Sequence, residues 1–146
     1  MIDIYPQIYQ ELDTHIADYL KSEKCANVLK KKKVKLQPEF NANTTVFPYI
    51  TIGEKGNTYA DSELDNHELH SSLVFDINIY DNTKNKMEIC SKLSLVVNDY
   101  MANKMGLRRT FNEPMPNLAD ATIYRITQRY EGFINNETGK ITKNLI

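Results

Sequence analysis

Leu69-His70-Ser71-Ser72-Leu73-Val74-Phe75-Asp76-Ile77-Asn78-Ile79-Tyr80 divides its residues between two faces. Leu69, Ser71, Leu73, Phe75, Ile77 and Ile79 fall on one side, and His70, Ser72, Val74, Asp76, Asn78 and Tyr80 on the other. Successive side chains of a strand point to opposite faces, so this stretch reads as a half-buried β-strand with its apolar side on a core. The same period recurs near the end, where Tyr124, Ile126 and Tyr130 oppose Arg125, Thr127, Arg129 and Glu131, with a shorter strand around Leu107 to Phe111 as a candidate neighbour. Upstream, Val34, Leu36 and Phe40 alternate with Lys33, Lys35, Gln37 and Glu39. Pro38 cannot donate to a ladder, which predicts an edge strand there. Phe47 to Ile52 is apolar on both parities, as expected of a strand covered on both sides or touching a neighbouring subunit.

On either side of these strands the period becomes helical. Ile4, Ile8, Leu12, Ile16 and Leu20 stand four apart, with Tyr9 and Tyr19 beside them and Glu11, Asp13 and Asp18 opposite, an amphipathic helix over 4–20. Pro6 is tolerated because the first helical turn has N–H groups without intrahelical partners. A second helix is predicted over 85–105 from Ile89, Leu93, Val96, Val97 and Tyr100 on one stripe, flanked by Cys90 and Met101. Asn85 and Glu88 have capping-box spacing, and Gly106 supplies a left-handed residue at the far end.

The segment Gly53 to Glu68, with two glycines and five acids, predicts a long exposed loop joining two strands. Residues 135–146 are equally polar and read as an arm after a single domain over 1–134. The expected fold is therefore α+β: a mixed or antiparallel sheet of four to five strands against two main helices, with a long acidic connection. A chain of 146 residues, 41% hydrophobic, can build such a core without staples, since domains of this size bury roughly 68–70% of their unfolded surface.

Charge excludes more than it selects. Eighteen basic residues against nineteen acidic ones, net −1, leave no broad basic footprint for nucleic acid or an anionic membrane. No apolar run approaches the ~20 residues of a span, and the start lacks the basic flank and apolar run of a secretory signal. Cys25 and Cys90 have neither metal-ligand nor CxxC spacing, so free buried thiols are expected, Cys90 inert on the apolar margin of its helix. Asp65, His67, Glu68 and His70 crowd four potential ligands into six residues, but the spacing is wrong for a metal helix and the two histidines would point to opposite faces of a strand. No Ser, Thr or Cys stands in a nucleophile elbow, and the glycines match no phosphate-binding pattern. No metal, cofactor or catalytic residue is assigned, although catalytic groups assembled in space can be silent in one sequence.

Two charged constellations stay open. Lys30, Lys31, Lys32, Lys33 and Lys35 form the dense basic run, suited either to keeping other strands off an edge or to contacting DNA or an acidic partner. Arg125 and Arg129, with Arg108 and Arg109 nearby, read either as a solvated face or as forks that pair with carboxylates across a subunit interface.

The segment Phe47-Pro48-Tyr49-Ile50-Thr51-Ile52-Gly53-Glu54, the acidic stretch after it, the alternating strand 70–80 and the helix 85–105 together resemble tail terminator, or tail completion, proteins of long-tailed bacteriophages. The ending from Asn117 to Phe133, with Tyr124-Arg125 and Arg129-Tyr130, is similar to such proteins of phages from low-GC Gram-positive hosts. The resemblance covers the chain to about Ile134. It implies a small α+β domain that closes with copies of itself into a ring, expected to be a hexamer, on the tail tube protein, and that presents a surface to the head-completion or connector protein. It implies a place in the virion neck, assembled in the host cytoplasm, with passing contact to DNA and none to membrane. Candidate contact residues are then Phe47, Tyr49, Glu54, Asp61, Glu63 and Asp65 on one side and Arg108, Arg109, Arg125 and Arg129 on the other. A head-completion adaptor, a small nucleic-acid-binding domain using the lysines, and a cryptic enzyme are the competing readings.

Overall fold

A computed structural model describes residues 3–38, 46–62, 68–116 and 121–143, without the side chains of 57–62, 68 and 69. Glu63, Asp65 and His67 lie outside the described residues, as do the side chains of Asp61, Glu68 and Leu69.

The first helix, α1 (Tyr5–Lys21), carries Pro6 in its first turn and buries Ile8, Leu12 and Ile16 completely or nearly so. The tyrosines beside this stripe fasten it to the sheet. Tyr5 donates its hydroxyl to the Ile52 carbonyl at 2.7 Å, and Tyr9 donates to the Leu36 carbonyl at 2.8 Å. A 3-10 turn at Asn27–Leu29 leads through the lysines into β1 (Lys35–Gln37).

Among the described residues six strands form one mixed sheet: β1, β2 (Tyr49–Ser62), β3 (Glu68–Asp81), β4 (Arg108–Pro114), β5 (Tyr124–Asn135) and β6 (Ile141–Thr142). Their order is β1-β2-β3-β5-β4, with β6 also on β5; β1 runs parallel to β2 and the other pairs are antiparallel. The Lys35 strand is thus at an edge, and β4 is the neighbour of β5, as the sequence predicts. Between β3 and β4 the chain forms α2 (Lys86–Asn98), continued by a π-helical turn at Asp99–Lys104 and stopped at Gly106, whose φ is +79°. Leu73, Phe75, Ile77 and Ile79 of β3 and Ile50 and Ile52 of β2 share one core with Ile8, Leu12, Ile16, Ile89, Leu93 and Val97. The sheet therefore has a helix-covered face and an opposite face.

Three sequence expectations are corrected. Gly53 to Ser62 is strand, not loop: it pairs with β3 down to Glu68, which leaves only 63–67 as the connection. Register irregularities at Glu54/Gly56, Tyr59/Asp61 and Asp61/Ser62 break the two-residue period, which is why the strand is invisible to pattern reading. Residues 135–142 are no free arm. The Asn135 carboxamide oxygen accepts the N–H groups of Glu137 and Thr138, Gly139 adopts φ +74°, and Ile141 returns to pair with Ile134. Finally, Asn85 makes no side-chain cap at the start of α2. The turn before it is held instead by buried Asp81, whose Oδ2 accepts the Thr83 hydroxyl at 2.5 Å and the Thr83 N–H at 3.3 Å.

Candidate assembly surface

The helix-free face is built from rows that run across the strands. The register sets Tyr49 beside Tyr80 and Tyr80 beside Arg125; Thr51 beside Asn78 and Asn78 beside Thr127; Gly53 beside Asp76, then Arg129, then Phe111. In the first row the Tyr49 and Tyr80 rings stack at 4.7 Å and 17°, Phe47 tilts against Tyr49 at 5.2 Å, and the Arg125 guanidinium carbon lies 5.8 Å from the Tyr80 ring centroid. A cation over an aromatic face is attracted by the ring quadrupole. Burial raises the pKa of both tyrosines, while Arg125 pulls the other way. In the second row Asn78 Oδ1 accepts from Arg125 Nε at 2.9 Å and from the Thr127 hydroxyl at 2.7 Å. In the third row Arg129 grips Asp76 with both fork nitrogens, at 2.7 and 3.1 Å.

These contacts relocate several predicted residues. Arg125 and Arg129 are engaged by their own chain, with Asp76, Asn78 and Tyr80, on the polar side of the alternating strand, as partners. The pairing was hidden because it depends on the register between segments about fifty residues apart. Phe47 is half-buried and Tyr49 fully buried. Glu54 is on the helix-covered side, opposite Phe75, with its Oε2 buried and without a hydrogen bond. Burial and the neighbouring Asp3 raise its pKa. Arg108 and Arg109 are exposed on β4, the second edge, and Arg109 also bonds the hydroxyl of buried Tyr130.

The lysines gather at the other edge. Lys30, Lys33 and Lys35 are exposed; Lys31 adopts φ +66°; and Lys31, Lys32 and Lys33 line a groove of about 320 Å³ with Lys21, Leu20 and Asp13 of α1. This basic corner sits at the Tyr49 end of β2, because Lys35 pairs with Tyr49 and its N–H meets the Pro48 carbonyl. Asp61 on β2 and Glu68 at the start of β3 lie at the opposite end of this hairpin.

A polar cluster lies between α1 and the π-helical turn. His15 Nε2 is 3.3 Å from Asp99, its Nδ1 is 3.2 Å from Lys104 Nζ, and Tyr100 donates to Glu11 at 3.0 Å. Glu11, His15, Tyr100 and Lys104 border a cleft of about 360 Å³. Tyr100 continues the stripe of Leu93 and Val97 that the helical period predicts, and Asp99 and Lys104 of the π-helical turn flank it beside α1. Cys90 is buried and its thiol is pushed up to about 12, chiefly by burial. Among the described residues no three His, Cys, Asp or Glu side chains group to hold a metal, and no helix is long and apolar enough to cross a membrane.

No protein-family model matches this chain, and no curated protein is significantly similar to it.

Proposed function

We propose that this chain is a structural assembly protein of a long-tailed bacteriophage or prophage, a tail terminator that caps the tail tube as a ring and joins it to the head connector. The observation that supports this reading is the polarity of the β2–β3 hairpin. Lys30 to Lys33 and Lys35 sit at one end of β2, and Asp61, Glu63, Asp65 and Glu68 belong in sequence to the other. Fourteen strand residues separate the two ends by roughly 40 Å. Opposite charges on distant ends of one element suit a head-to-tail contact, which is heterologous and closes into a ring when the rotation per subunit allows. The family resemblance makes that ring six-fold. The basic role passes from the arginines to the lysines, because Arg125 and Arg129 already hold partners within the sheet.

A test by charge exchange follows. Lys30 to Lys33 replaced by Glu, and Asp61, Glu63 and Asp65 replaced by Lys, should each abolish rings on purified tail tubes seen by electron microscopy, and the combined variant should restore them. Capping by both single-patch variants at the native level would overturn the reading. A DNA contact is the second reading, favoured by the four lysines around the groove with Asp13. It predicts a steep salt dependence of DNA binding that disappears when Lys30 to Lys33 become Gln.

A further inference from the structure

The two edges of the sheet differ. β1 offers three residues behind the lysine run and is followed by Pro38, features that discourage strand addition. β4 offers seven residues, all but Phe111 exposed, contains no lysine, and has no strand on its far side among the described residues. The Met115 N–H donates to the Arg125 carbonyl at 2.9 Å. Hydrogen-bonding positions alternate in an antiparallel ladder, so the backbone groups of Glu113 and Phe111 face β5 and those of Asn112 face the open side. Pro114, which lacks an N–H, occupies another outward position, where β5 loses no hydrogen bond.

We propose that β4 pairs antiparallel with β4 of a second copy of this chain, about a two-fold axis at Phe111, fusing two sheets into one. Charge selects this occupant. Arg108, Phe111 and Glu113 share the helix-free face, opposite Glu131, Arg129 and Thr127 of β5, because one extra residue lies between Arg109 and Phe111. Reversal about Phe111, with the extra residue of each copy bulged opposite Asn112 of the other, sets Arg108 of each copy against Glu113 of the other. Phe111 then occupies a non-hydrogen-bonded pair, whose Cα atoms approach within about 4.5 Å, so the two rings meet at the axis. A like-to-like contact through one open edge is isologous and stops at two copies. It leaves the lysine corner and the acidic end of the hairpin free, and it stands apart from the ring reading.

Sedimentation equilibrium over a concentration series tests it. The native chain should show a monomer–dimer equilibrium. Arg108→Glu and Glu113→Arg should each weaken it about tenfold, and the double exchange should recover it. Asn112→Pro should abolish dimers while the thermal transition and far-ultraviolet spectrum persist, since its N–H faces outward. Phe111→Cys should yield a disulfide-linked dimer on mild oxidation, because both native thiols are buried, whereas Met87→Cys on exposed α2 should not. Monomer throughout the series, or self-association indifferent to these substitutions, would overturn the proposal.

Discussion

His15 sits where burial, and secondarily the Lys104 ammonium, lower its pKa, with Asp99 and Asp18 pulling in the opposite direction. Below about 6.5 the unfolded chain binds this proton and the folded chain resists it. Folding stability should therefore be undiminished by this group above that pH and should fall as pH drops toward the lowered value. His15→Gln removes the group, so denaturant melts at pH 7.5 and 5.5 should show a smaller acid loss in the variant; an equal loss would contradict the assignment. Gly132 makes a second residue-level claim. A methyl group there would lie 2.6 Å from Leu107 Cδ2 and 2.9 Å from the Thr142 carbonyl. Gly132→Ala should cost about 1–3 kcal/mol by overpacking and loosen β6, seen as a lower thermal midpoint and faster amide exchange at 141–142. Neither site was legible in the sequence. Gly132 matters because Leu107 packs onto it and β6 folds back over it, and His15 matters because the π-helical turn faces α1.

Elements were legible where their period was regular. The alternation of Leu73, Phe75, Ile77 and Ile79 and the stripe of Ile8, Leu12 and Ile16 carry through to one buried core. Phe75→Ala should cost about 3–5 kcal/mol and Leu73→Ala about 2–5 kcal/mol, measured by denaturant unfolding. Unchanged midpoints in both would remove the core assignment. The hairpin beyond Gly53 was illegible because its bulges scramble the two-residue period and its composition is that of a turn; cross-strand pairing overrides such local preferences. The distinction between open and guarded edges was half visible. Lysine and Pro38 mark β1 from sequence, but the exposure of β4 follows from the strand order, which no local pattern encodes.

At the scale of the whole molecule, a net charge of −1 includes a basic corner at the Tyr49 end of β2 and the acidic residues Asp61 and Glu68 at the other end of the hairpin. Such a molecule is suited to line up with copies of itself, and small polar contacts of this kind close readily on a template that raises the local concentration. A chain that is monomeric or dimeric when free and a ring on a tube end is consistent with that physics. Raising the salt concentration should weaken ring formation on tubes, because exposed charges are screened within about 8–10 Å at physiological ionic strength; capping measured by electron microscopy that is insensitive to salt would count against the charge-driven contact. Electron microscopy of particles assembled in cells that lack this protein tests the proposed assembly role most directly. Tails of uncontrolled length, unjoined to filled heads, are the expected result, and normal infectious particles with tails of native length would contradict it.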